Sequence, residues 1–260
     1  MKKTFIALIL LLTGFAFGGK ELFVPHTMAA RAEDKAKLAI VIDDFGEDRH
    51  GVSEMLALDV PLTIAVIPHC EFSSADAEAA SSHGHEVILH MPMENSSAMP
   101  PEYYGPVLIK NSHTGTEAAK VLSECIDSIP NCAGVNIHMG TGVSRNRELM
   151  TAMMEEVKSR DLYFLDSKTV EDSVCPECAE KTGVKFYCRD VFLEPSGHPG
   201  YDTAVKYIMD AATLALEKGQ AIAIGHVGPV GLEKTAKALE NCLPELEKMG
   251  VEVVPLSELD

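Results

Sequence analysis

Short apolar runs alternate with amphipathic stretches along almost the whole chain. Residues 37–46 open with Leu38, Ala39, Ile40, Val41 and Ile42, a β-branched run of the kind that forms strands covered by helices on both faces. Residues 62–68, 84–90, 133–138, 162–166, 184–187, 221–226 and 251–254 read the same way. Between them lie helical periods over 51–58, over 75–82 behind Ser74 as N-cap, over 116–128, and over 202–218, stopped by Gly219. A further helix carries Leu149, Met150, Met153, Met154 and Val157 on one face, and another spans 232–246 with an interruption near Pro244. Residues 95–115 hold Pro100, Pro101 and Pro106 without a helical period, which predicts a long loop of the sort that often serves function. Tyr103 and Tyr104 there either pack the loop down or stack on a sugar ring.

Strands alternating with helices, without a nucleotide-binding glycine fingerprint, predict a parallel α/β fold closed or nearly closed into a distorted (β/α) barrel of about seven strands. The carboxyl ends of such strands carry ligands and catalytic groups. Here those ends are polar: Asp43 and Asp44, His90, His138, Asp166, Arg189 and Asp190, and His226 each stand where an apolar run stops. One histidine or one turn-capping aspartate at a strand end is ordinarily structural. Several converging on one rim indicate a site.

The chain has 260 residues and a formal net charge of −17. Met1-Lys2-Lys3-Thr4 followed by an apolar run from Phe5 to Leu12 reads as a secretory signal, with cleavage after Gly18 or Ala32. Residues 1–32 are thus signal and linker, residues 36–260 the functional domain, and the protein is exported to the periplasm or another extracytoplasmic space, with no stable membrane span once the signal is removed. Removing 1–32 takes four of the 22 basic and one of the 39 acidic residues, leaving −20. That excess argues against nucleic acid and anionic membranes as partners and suits a neutral or cationic substrate. Seven cysteines in an exported chain imply some disulfides and at least one unpaired thiol. Cys175-Pro176-Glu177-Cys178 is a single CxxC, read as a structural disulfide or incidental pair before a redox motif.

Adjacent carboxylates such as Asp43 and Asp44 repel, and burying them calls for a cation or a metal. Two histidines and one carboxylate are a common catalytic zinc set that leaves one coordination position open. A second carboxylate beside it can act as general base, and a histidine opposite can protonate a leaving group. Alternation along a strand points neighbouring aspartates in different directions, which suits one ligand and one base.

Ile42-Asp43-Asp44, the run from Gly84 to Glu94 containing His90, Gly134-Val135-Asn136-Ile137-His138-Met139-Gly140, Phe164-Leu165-Asp166-Ser167 and Ile224-Gly225-His226 together resemble the divergent polysaccharide deacetylases, a branch of the metal-dependent carbohydrate deacetylase superfamily. The resemblance implies a hydrolase acting on carbon-nitrogen or ester bonds, with a divalent metal, zinc, as cofactor and an acetylated polysaccharide or amino sugar as substrate. It implies Asp43 as base, Asp44 and His90 as metal ligands, and His226 as general acid oriented by Asp166 or Asp190. The superfamily's second histidine ligand falls at Glu94 here, so the third ligand is Glu94 or His138. His138 is preferred because it ends the adjacent strand. The competing reading is a barrel that binds metal and glycan at the cell envelope without turnover; Asp43 and His226 argue against it, since binding needs neither base nor acid.

Overall fold

The computed structural model describes residues 35–195 and 200–260; the signal expected over residues 1–32 lies outside them. In chain order the elements are β1 (Ala36–Phe45), α1 (Val52–Leu56), β2 (Thr63–Val66), α2 (Ser73–Ser82), β3 (Glu86–Met93), α3 (Gly115–Asp127), β4 (Cys132–Met139), α4 (Arg147–Ser159), β5 (Tyr163–Asp166), α5 (Cys175–Thr182), β6 (Lys185–Cys188), β7 (Val191–Phe192), α6 (Tyr201–Lys218), β8 (Gln220–His226), α7 (Gly228–Met249) and β9 (Val251–Val254). The strands form one sheet in the order β6-β5-β4-β3-β2-β1-β8-β7, with β9 added beside β1, and every pairing is parallel. Its two end strands, β6 and β7, are joined only by Arg189 and Asp190. A link that short reaches roughly 10 Å. The sheet therefore curls until its edges approach, giving the distorted, incompletely closed barrel.

Alternation explains why the strands are apolar throughout. Ala39 and Val41 of β1 face inward with Ile88, Leu165 and Ile224, while Leu38, Ile40 and Ile42 face the helices with Val87, Leu89 and Phe164. Both faces leave water, so both must be hydrophobic. Beyond β9, Leu256 and Leu259 enter the interior at the opposite end from the polar rim. Leu256 N–H donates to Thr63 Oγ1 at 2.9 Å, and Glu86 accepts from Thr63 and from Tyr163 at 2.9 and 2.7 Å. That end is plugged and its polar groups are satisfied.

Helix α3 begins with a capping box: Thr114 accepts from Glu117 N–H while the Glu117 carboxylate accepts from Thr114 N–H. Helix α7 begins earlier than its sequence period indicates. It breaks at Leu232 (φ 52°) and continues through Pro244, where an interruption was expected. A Cβ on Gly231 would strike the carbonyl oxygen of His226, so glycine lets this first turn lie directly on the end of β8. No helix among the described residues is long and apolar enough to cross a membrane.

The expectation of disulfides is corrected: all seven cysteines are free. Cys175 and Cys178 lie in the core, and burial, ahead of the nearby Asp166 charge, pushes the Cys175 thiol far up. A redox role needs an accessible thiolate, which this pair does not offer. A reducing agent should accordingly leave the melting temperature unchanged, measured by circular dichroism with and without dithiothreitol.

Candidate metal centre

Strand β1 carries the centre because it is irregular at its end. Ile42 pairs with Ile64 and Phe45 with Val66, so three steps on β1 oppose two on β2, the signature of a β-bulge. The extra residue is accommodated where Asp44 takes φ 71°, a left-handed conformation that Asp tolerates better than most residues. The bulge turns both carboxylates to the interior, where plain alternation would send Asp44 toward the helices. His90 from β3 and Asn136 from β4 are register partners, and His138 follows Asn136 by two residues on the same face.

Three atoms then meet. Asp44 Oδ1 lies 3.3 Å from His90 Nε2 and 3.2 Å from His138 Nδ1, and the two nitrogens are 3.1 Å apart. The remaining imidazole nitrogens assign the tautomers. His90 Nδ1 faces Asn136 Oδ1 at 2.7 Å, and His138 Nε2 faces the carbonyl oxygen of Tyr103 at 2.7 Å. Both must donate there, because a backbone carbonyl can only accept and Asn136 uses its amide N–H toward Asp43 at 2.7 Å. The nitrogens facing Asp44 are left with lone pairs. Asp44 Oδ1 is accordingly a buried acceptor without a hydrogen-bond donor. A divalent cation resolves this, and the separations match the edge of about 3.3 Å of a tetrahedron with bonds of about 2.0–2.1 Å. These three residues form the possible metal-holding group among those described.

Burial opposes charge on Asp44, yet the imidazoles of His138 and His90 outweigh it and hold the carboxyl well below the usual range. Burial likewise works against a proton on His138, but Asp44 reverses the balance and raises its pKa. Asp43 is 2% exposed, and its pKa is raised, first by burial, against the opposing pull of His90 and His226. A buried carboxylate of raised proton affinity, 3.6 Å from His90 Nε2, is suited to accept a proton beside the candidate metal site.

His226 ends β8 in register with Asp43 on β1. Its Nδ1 meets Glu194 Oε2 at 3.0 Å, and Glu194 also accepts from the Thr235 hydroxyl. Burial alone would lower the His226 pKa; Glu194, with Asp44 and Asp43 behind it, lifts it to about 9. The imidazolium can therefore donate a proton at neutral pH. Replacing Glu194 by Gln removes the nearest negative charge, so the alkaline limb of a rate profile should move to lower pH. A pH series of kcat/KM checks this; an unmoved limb would detach His226 from Glu194.

A family model described as divergent polysaccharide deacetylase matches residues 40–259. This chain belongs to that family. It is 33% identical over 210 residues to the uncharacterised protein YibQ of Escherichia coli (strain K12), covering 81% of this chain and 64% of that relative's length. An uncharacterised protein from Agrobacterium tumefaciens C58 shares the fold with a TM-score of 0.79 at 21% identity, over 88% of this chain and 91% of the other. The peptidoglycan N-acetylglucosamine deacetylase Bc1960 superposes with a TM-score of 0.51 at 16% identity, over 85% of this chain and 86% of that one.

In this chain Glu94 stands apart from Asp44, His90 and His138. Its carboxylate accepts from Asn111 N–H at 2.7 Å and fixes the long loop. Neither aspartate expected to orient His226 does so. Asp166 shares the helix-facing side of β5 with Phe164, while Tyr163 and Leu165 point inward; it accepts from Lys168 N–H and Ser173 Oγ, both at 2.8 Å. Asp190 precedes β7 and bonds Ile222 N–H and Lys218, at the far end of β8 from His226. The residue that orients His226 is Glu194, two residues after β7. Its signal was present: Val191-Phe192-Leu193 is an apolar run ending in an acid. Tyr104 packs inside and accepts from Asn95 N–H at 3.1 Å, whereas Tyr103 is 53% exposed and holds His138 through its carbonyl.

Proposed function

We propose that this protein is a zinc-dependent hydrolase that removes acetyl groups from a polysaccharide or amino sugar outside the cytoplasm. The observation that carries the reading is Asp44 Oδ1, a buried acceptor met by two imidazole lone pairs, set between a buried carboxylate and a protonated imidazole. A divalent cation bound there supplies Lewis acidity toward an acyl carbonyl and toward water. Asp44, His90 and His138 would hold it, with Asn136 and the Tyr103 carbonyl orienting the two imidazoles. Asp43 takes the proton from the attacking water. Asn136 holds that carboxylate in place, and its contact with His90 keeps base and ligand in fixed relation. His226 delivers a proton to the departing amine or hydroxyl, with Glu194 keeping the ring aligned and charged. Family membership and the deacetylase activity of Bc1960 support an acetylated carbohydrate as substrate, and the apolar run after Lys2 and Lys3 supports export.

The test is acetate release from a panel of N- and O-acetylated glycans. Zinc-loaded protein should release acetate from at least one of them, chelation should abolish release, and added zinc should restore it. Metal-loaded protein that binds one of these glycans yet releases no acetate from any would leave a binding protein.

A further inference from the structure

Arg189 follows β6 at the rim that carries the metal centre. Its Nε donates to the Ser167 carbonyl at 2.7 Å and its Nη2 to the Lys168 carbonyl at 3.0 Å. The guanidinium carbon lies 3.6 Å from the centroid of the Phe192 ring, and that ring lies 5.8 Å from the imidazole of His226. The fork is therefore fixed in plane and position beside the general acid. What it lacks is a carboxylate in contact: Asp166, Asp190 and Asp43 act on it only through space. Of the five arginines among the described residues, Arg49, Arg145, Arg147 and Arg160 each pair with a carboxylate. Arg189 has none within 4.0 Å among the described residues, in a chain of net charge −17.

A half-buried guanidinium that touches no anion keeps part of its desolvation cost, which a carboxylate in contact would offset. The remaining donors of an immobilised fork are already arranged for planar, two-point recognition. Across the mouth, over β1 and β2, Glu47, Glu71 and Glu102 line a cleft of about 400 Å³. The rim is thus negative on one side and positive at Arg189, whereas the overall charge alone would favour a neutral or cationic ligand.

We infer that Arg189 reads a carboxylate on the glycan, so that the preferred substrate is an acetylated oligosaccharide carrying an acidic sugar, of uronic acid type, next to the acetylated position. A phosphate dianion is disfavoured, since it would bring a second charge toward Asp43, Asp44 and Glu194 with no second arginine to meet it. The inference rests on the deacetylase reading for the acetyl group but not for the recognition itself.

The experiment compares an acetylated uronate-containing oligosaccharide with its methyl ester, which differs only in the charge. Binding to zinc-loaded wild type, Arg189→Gln and Arg189→Lys is measured by calorimetry at low and moderate salt, alongside acetate release and melting temperature. Wild type should bind the acid about tenfold or more tighter than the ester, the advantage shrinking with salt. Arg189→Gln should bring the two within about threefold, chiefly by weakening the acid, and Arg189→Lys should fall between because it keeps charge without the fork. A wild type that does not bind the acid, or does not prefer it, overturns the inference. So does an Arg189→Gln variant that keeps the preference, or one that weakens both ligands equally while melting lower, which is the result expected of a brace for the segment at Ser167 and Lys168. Preference for the acid without acetate release from any glycan would remove the deacetylase reading and leave this one standing; acetate release with equal kcat/KM from acid and ester would do the reverse.

Discussion

Asp43→Asn and His226→Ala should each lower turnover by about two to four orders of magnitude while metal content and glycan affinity stay near wild type. General acid and base groups act mainly in the transition state, so their loss falls on kcat rather than on binding. Asp43→Asn keeps the shape that Asn136 grips but cannot take a proton. His226→Ala leaves Glu194 with Thr235 as a neutral partner. The pH dependence follows from the same two residues. Activity requires Asp43 ionised and His226 protonated. Burial raises the Asp43 pKa, so the acidic limb lies above the ordinary carboxylate range; His226 sits at about 9, which sets the alkaline limb. Bound metal is a nearby positive charge and moves both limbs to lower pH. Each variant should lose its own limb. Steady-state kinetics across pH decide the matter, and a variant that keeps both limbs and wild-type turnover would strip its residue of the assigned role.

The ligand set gives the second large effect. Alanine at Asp44, His90 or His138 should weaken metal binding by more than the roughly 10–100-fold that loss of an outer partner costs. Asn136→Ala, which frees the His90 ring, belongs in that 10–100-fold class. Glu94→Ala should leave metal nearly stoichiometric, because its carboxylate faces Asn111 rather than the cluster. Metal content by elemental analysis after dialysis reads all five variants. Dependence on Glu94 with indifference to His138 would return the third ligand to the position near His90 in sequence.

The barrel was readable because strands covered on both faces have no choice but to be apolar, and their polar ends stand out against that background. What escaped was set by shortness and by neighbours. β7 has two residues, too few to show a period, and Glu194 was lost with it. Asp166 ends an apolar run in sequence, yet its parity with Phe164 places it on the helix side; counting from the inward Tyr163 and Leu165 would have shown this. Asn136 was visible as a polar residue inside an apolar run, two places before His138 and so on the same face, although its part as the link between Asp43 and His90 needs the fold. The joint inward turn of Asp43 and Asp44 could not be read from β1 alone. It depends on the register with β2, which is a property of two strands.

That slipped register has a bearing on how such a centre can be gained or lost. Because three steps of β1 oppose two of β2 between Ile42 and Phe45, the bulge stores a single surplus residue at the mouth of the barrel. Were the chain one residue shorter there, Phe45 could keep Val66 as its partner, Ile42 could keep Ile64, and every apolar side chain below would hold its face. The paired carboxylates would shrink to one while the sheet regained an unbroken ladder. The second carboxylate, and with it the division into a ligand and a base, thus hangs on one residue of strand length at this point, while the barrel's architecture does not.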